Sequence, residues 1–180
     1  MNRRCLLTTL SLVTLAAVAV TAPRSAAAAS GTVAVLPAAI VNSAVQNGPK
    51  LTGAMETVLK GKGLRPLDAT LVTRAVSAAG MNLAQPQPLS RLAEVGKTLK
   101  ANYVVYTRVL SVGKPINARN ETDREAVMLV NVVDVATARI KHTYQSSVAF
   151  SDASNNRQSL IPDAAAREAA EKMLAAFLKP

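Results

Sequence analysis

The chain of 180 residues holds one cysteine, one histidine and no tryptophan, and aromatic residues make up only 3% of it. Cys5 lies before an apolar run that is expected to be removed on export, so the mature chain is expected to carry no thiol. That excludes disulfides, thiolate metal sites and a cysteine nucleophile together. A single histidine, His142, removes the usual zinc ligand sets as well. It stands on the apolar side of an alternating stretch, where a structural role is the default, and no nucleophile sits at a telling spacing from it. The acids are dispersed. Glu168 and Glu171 share a helical face, but Arg167 and Lys172 beside them make a solvated surface the simpler account. Gly48-Pro49-Lys50 and Gly61-Lys62-Gly63 contain glycine and lysine without the phosphate-loop spacing, and they read as helix punctuation. Asn120-Glu121-Thr122 matches a glycosylation sequon, a tripeptide that arises often by chance. No metal and no cofactor is expected, and the chain is not expected to be an enzyme.

What is present begins with an export signal. Arg3 and Arg4 supply a positive start, and Leu6 to Ala22 is an apolar run interrupted only by hydroxyl residues. Pro23 breaks that run, and Ala26 to Ala29 offers the small side chains that signal peptidase requires, with Ala28 and Ala29 flanking the expected cut. A spanning helix wants about 20 predominantly apolar residues, more than this stretch provides. Residues 1–29 are therefore assigned to a cleavable signal peptide and 30–180 to a single domain, placing the protein in the periplasm or outside the cell. Cys5 precedes the apolar segment instead of following it, so the chain is not read as a lipoprotein.

Removing Arg3, Arg4 and Arg24 leaves 18 of the 21 basic residues against 11 acids, a net of about +7. Such an excess attracts anionic neighbours through a field that salt screens. It favours electrostatic contact with an anionic envelope surface. Nucleic acid is not expected, because the basic residues are scattered along the chain and no aromatics are interleaved with them.

Along the mature chain, Thr32 to Leu36 is a short apolar run of the kind a strand covered on both faces shows. Leu51, Ala54, Met55, Val58 and Leu59 recur at helical spacing after Gly48-Pro49, and Gly61 and Gly63 end that helix. Leu64 to Leu67 is a brief extended piece, inside or outside the sheet. Asp68 suits a cap for a second helix carrying Leu71, Val72, Ala75, Val76 and Ala79 toward the core. Leu89, Leu92, Val95, Gly96 and Leu99 mark a third helix. Tyr103 to Leu110 is the strongest strand signal, rich in β-branched and aromatic residues. Ala126 to Val135 reads as a central strand, followed by a turn at 134–138. Ile140, His142, Tyr144, Ser146, Val148 and Phe150 then alternate with more polar residues, as in a half-exposed strand. A closing helix carries Ala166, Ala169, Ala170, Met173, Leu174 and Phe177 on one side. The expected fold is α/β: a single domain with a mixed β-sheet of about four to five strands and about four helices packed on it.

Three stretches resemble a group of bacterial envelope domains. Thr32-Val33-Ala34-Val35-Leu36-Pro37 resembles the group's opening strand. Leu92 to Lys97 followed by Ala101 to Val105 resembles its helix-to-strand passage, and Val130 to Thr137 resembles its strand and turn. The group includes the curli-secretion lipoprotein CsgG, the penicillin-binding-protein activator LpoB and the amino-terminal domain of TolB. Ala38 and Ala138 depart from its pattern, as does the missing lipobox, and no long insertion is present to build membrane strands. The resemblance implies a domain that binds other envelope proteins without turning over substrate, and it transfers no functional residue.

The expected function is thus a non-catalytic exported protein-interaction domain serving a cell-envelope assembly. A small secreted enzyme of unrecognised type and a binder of anionic envelope polymers are the alternatives. The surface expected to meet a protein partner is the polar segment Gly113 to Arg124, with Lys114, Arg119 and Arg124, because connections of that length are more often functional than minimal ones. Amino-terminal sequencing of the exported protein is expected to start at Ala29 or Ser30. A start at Met1 would contradict the signal-peptide assignment.

Overall fold

The computed structural model describes residues 31–41, 48–121, 123–151 and 161–179. The expected signal peptide at 1–29, the expected loop through Asn42, Ser43 and Asn47, and the polar segment 152–160 lie outside the described residues. Six strands, β1 (Thr32–Val35), β2 (Ala39–Ile40), β3 (Arg65–Pro66), β4 (Tyr103–Gly113), β5 (Asp123–Asp134) and β6 (Arg139–Ser151), form one mixed sheet. Four helices, α1 (Gly48–Gly61), α2 (Ala69–Ala78), α3 (Leu89–Thr98) and α4 (Asp163–Leu174), pack on it. The strand order is β3-β1-β4-β5-β6, with β2 also pairing β4.

β4 joins two kinds of sheet. On one side it runs parallel to β1 and β2, Ala34 facing Val104 and Ile40 facing Val109. On the other it pairs antiparallel with β5, which pairs antiparallel with β6. β2 is the strand beyond the expected number. Its two residues follow Pro37 too closely to show a pattern of their own, and only β4 alongside makes them a strand. β3 lies within the sheet, parallel to β1.

The two faces of the sheet are covered differently. α1 and α4 lie on one face, enclosing Val33, Val105, Val130, Val132, Leu51, Met55 and Met173 among others. α2 and α3 lie on the opposite face over Ala34, Leu36, Val104, Tyr106, Val133 and Val135. The side chains of Met173 and Leu174 are fully buried, and burying each stabilises the fold by about 1.5–3 kcal/mol. Asp68 caps α2 as expected, its Oδ1 accepting from the amides of Thr70 and Leu71 at 2.9 and 3.1 Å. Leu71, expected in the core, is 52% exposed. The core stripe of α2 is narrower and runs through Val72 and Val76.

A further difference concerns β6. The pairing with β5 shifts between Val132 and Val133, so Lys141 is an extra residue. A bulge of this kind reverses the side-chain alternation. Ile140 therefore points to the opposite face from His142, Tyr144 and Val148, and it is 48% exposed. The strands are also longer than the sequence suggests. β4 continues to Gly113 through an irregularity at Leu110, and β5 begins at Asp123, which leaves a connection shorter than the expected one from Gly113 to Arg124.

Gly96 shows how tightly α3 lies on the sheet. A Cβ there would stand 2.5 Å from a methyl of Val135 and 2.8 Å from one of Val104. Both neighbours are buried and β-branched, so neither turns aside freely. Gly96→Ala is expected to destabilise the protein by about 1–3 kcal/mol despite the better helix propensity of alanine. Val132→Asp places a charge in a fully buried site and should cost several kcal/mol more. Denaturant melts of the two variants check both values, and a Val132→Asp protein that melts with the parent would contradict this placement of β5.

Candidate interaction surface

The connection between β4 and β5 is braced from within. Lys114 Nζ lies 3.0 Å from Glu121 Oε1. Asp123 Oδ2 accepts from the amides of Arg119 and Asn120 at 2.8 and 2.9 Å. The Arg124 guanidinium donates to the carbonyls of Glu121 and Asp123 at 2.7 and 2.9 Å. The amide of Ala118 closes a turn onto Pro115 O at 3.1 Å. The hydrogen bonds from the amides of Asn120 and Arg119 lower the Asp123 carboxyl below its ordinary pKa. The hydrogen bond from Lys114 lowers Glu121 in the same way.

Of the three basic residues expected to meet a partner, Lys114 is in an ion pair and Arg124 fastens the loop to itself. Arg119 is exposed. Between them stands Ile116, fully exposed at 103%. The bracing leaves the loop little freedom to lose should this side chain meet another surface. The sequence reading missed Ile116 because the surrounding stretch is polar. The signal was one branched apolar residue directly after Pro115.

Next to this hairpin, the sheet face that α2 and α3 cover elsewhere is left open. Val127 and Leu129 of β5 are half-buried there, in line with the exposed Thr143, Gln145 and Ser147 of β6. Thr143 Oγ1 donates to Asn131 Oδ1 at 2.6 Å across the two strands. The run from Ala126 to Val135 is thus apolar on both sides, but helices cover both sides only near its end.

Elsewhere the polar side chains hold structure. His142 Nε2 donates to the carbonyl of Met173 at 2.9 Å, tying β6 to the last turn of α4. Its ring stacks on Tyr144 with centroids 6.2 Å apart. The Tyr106 hydroxyl is 2.7 Å from Leu83 O and 2.6 Å from Gln85 O, and Arg108 reaches Ala84 O at 3.1 Å. Together they pin the proline-rich segment before α3. Burial raises the Tyr106 phenol above its ordinary pKa. On α4, Glu171 pairs with Arg167 and Glu168 with Lys172, at 3.1 and 2.6 Å. Among the described residues no three His, Cys, Asp or Glu side chains gather, and no helix is long and apolar enough to cross a membrane.

This α/β architecture, a mixed sheet between two pairs of helices, is shared with solved bacterial proteins. No family model matches the chain, and no curated protein matches it in sequence. Its fold is similar to that of the hypothetical protein CT253 from Chlamydia trachomatis, with a TM-score of 0.58 at 16% identity over 83% of this chain and 96% of that one. It is similar to lipoprotein GNA1162 from Neisseria meningitidis, with a TM-score of 0.54 at 14% identity over 69% and 86%. It is also similar to Escherichia coli LpoB, with a TM-score of 0.53 at 15% identity over 69% of this chain and 59% of that one. The chain has an LpoB-like fold.

Asp123 is the group on which the hairpin's order depends. Its carboxylate has a lowered pKa in the fold, so its bracing is complete above the unfolded pKa and is lost as pH falls through the folded one. Asp123→Ala is expected to speed hydrogen exchange at the amides of Arg119 and Asn120 at neutral pH, with the global melting temperature little changed. The parent should show the same local loss only in acid. Unchanged exchange at those two amides would show that the carboxylate does not hold the turn.

Proposed function

We propose that the chain is a non-catalytic interaction domain, exported by a signal peptide at residues 1–29, that docks on a protein assembly of the bacterial cell envelope. The observation that carries this reading is Ile116. A fully exposed branched side chain is held at the tip of a hairpin whose polar groups are spent on bracing it. Lys114, Arg119 and Arg124 surround it, and in this role they shape the rim and steer approach, while Ile116 supplies the buried contact. An LpoB-like fold supports the reading, and the strand motifs shared with CsgG and the amino-terminal domain of TolB belong to the same proposal. His142, engaged by the carbonyl of Met173, holds the fold together instead of acting as a base.

A photocrosslinking residue at position 116 tests this in cells. A discrete adduct is expected from position 116 and none from position 71, a half-exposed apolar site on α2. Ile116→Asp should weaken binding to the crosslinked partner at least tenfold, on the order of one lost anchor, without changing the melting curve. Charge reversal at Lys114, Arg119 and Arg124 should weaken it less and reduce its salt dependence. Equal labelling from both positions, or none from 116, would move the interface away from this hairpin.

A further inference from the structure

The fold gathers at one end of the molecule basic residues that are scattered in the sequence. The starts of β1, β3, β4 and β6 and the end of β5 lie together there, because Thr32 pairs with Arg65, Val33 with Tyr103, and Asp134 with both Tyr103 and Arg139. α1, α3 and α4 also finish at this end. Lys62 shares a surface hollow with Lys179. Lys100 shares one with Gly63 and Arg65, and another with Lys97 and Asp134. Lys60 lies in the last turn of α1, and Lys141 is the bulge residue of β6. Lys60, Lys62, Arg65, Lys97, Lys100, Arg139, Lys141 and Lys179 are all exposed. None of them is in an ion pair among the described residues.

Two acids, Asp134 and Glu171, stand among these cations. Asp134 accepts from the amide and the hydroxyl of Thr137, both at 2.9 Å, and its charge offsets part of that of nearby Lys141. Glu171 lines the Lys62–Lys179 hollow but is paired with Arg167 at 3.1 Å. Complementing the helix C-termini accounts for Lys60 and Lys97, which sit in last turns. It does not account for Arg65, Arg139 and Lys141, which sit on strands. At the hairpin end the balance is different, because Lys50 pairs with Asp163, Lys114 with Glu121, and Asp123 and Glu125 stand beside Arg119 and Arg124.

We infer that this end of the domain, from Lys62 across Lys100 to Lys141, is a docking face for an anionic lipid membrane. Three properties favour a membrane over a soluble polyanion or an acidic peptide. The cations spread across the five-strand order β3-β1-β4-β5-β6, a breadth of about 20 Å at the usual strand spacing, and not along a single groove. They surround shallow hollows instead of a deep one. Within the patch Ile140 is 48% exposed between Arg139 and Lys141, the pattern of an apolar side chain entering the headgroup layer with cations beside it. The field of such a patch sums over neighbours about a Debye length apart, about 8 Å at physiological salt, and a planar anionic surface meets all of it at once. Bound in this way, the domain would present its hairpin, at the other end of the sheet, away from the lipid.

The inference stands apart from the hairpin reading, because it uses the opposite end of the molecule. It is tested with the mature chain and vesicles of phosphatidylcholine containing about a third phosphatidylglycerol, an anionic surface on which each basic residue has a sizeable effect. Cosedimentation should be strong at low salt, fall steeply with added salt, and be absent with pure phosphatidylcholine. Reversing Lys62, Lys100 and Lys141 to glutamate should weaken it by on the order of a hundredfold or more. Reversing Lys114, Arg119 and Arg124 changes the net charge equally and should leave it within about threefold. Ile140→Ser should weaken vesicle binding several-fold and leave binding to soluble polyglutamate unchanged. Equal losses from the two triple variants would show that net charge alone acts and would overturn the inference. So would binding to polyglutamate as tight as to vesicles with no effect of Ile140→Ser, since that result points to a soluble polyanion. Circular dichroism of each variant separates loss of binding from loss of fold.

Discussion

The structure depends on the burial of β4. Val104 and Val105 are both fully buried, one under α3 and the other under α1, so the strand is sealed from both faces within adjacent residues. It also carries hydrogen bonds to β1 and β2 on one side and to β5 on the other. Every other element is placed by reference to it. The parallel side needs helices to return the chain, which is why α1 and then α2 and α3 fall between the strands that flank β4. The antiparallel side needs only short turns, and there the chain is free to build a long meander with one face bare. Two polar atoms on this strand are buried without a hydrogen-bond partner among the described residues: Thr107 Oγ1, on the side of Val105 and Val109, and Arg108 Nε.

From that asymmetry follow the two ends of the molecule. Helices that run back against the strands beside them deliver their C-termini to the strand starts, and the lysines that follow them collect there. The other end carries the extension of β4 and β5 beyond the helical layers. Its polar groups close on one another and leave Ile116 outside. The proposed membrane contact and the proposed partner contact rest on this contrast between a cationic end and an apolar-tipped, charge-balanced end of one sheet. The one histidine and the buried tyrosine are both used to fasten elements, His142 to α4 and Tyr106 to the segment before α3.

Much of the fold was legible because it rests on local pattern. The α1 and α4 stripes are buried where their helical spacing puts them, Asp68 caps α2, and the β-branched runs are strands. The departures share one cause, which is that a neighbour decided what the local pattern could not. β2 is too short to announce itself. The bulge at Lys141 leaves the alternation of β6 intact as a string of letters while turning Ile140 to the other face. Leu71 has the right spacing but lies beyond the edge of what α3 and the sheet cover. Three basic residues in the hairpin were visible as letters, yet only the fold shows Lys114 and Arg124 already engaged and Ile116 left out.

By itself, the sequence determined the α/β class, the expectation of an export signal, a single cysteine and a single histidine, and a positive balance, since each follows from composition or from spacing within one element. Which cations stand together, which apolar residues remain exposed and which polar groups are consumed in bracing were settled by tertiary structure alone. Those properties join residues far apart in the chain, as Arg65, Lys100 and Arg139 are, and only strand pairing through Thr32, Tyr103 and Asp134 brings them side by side.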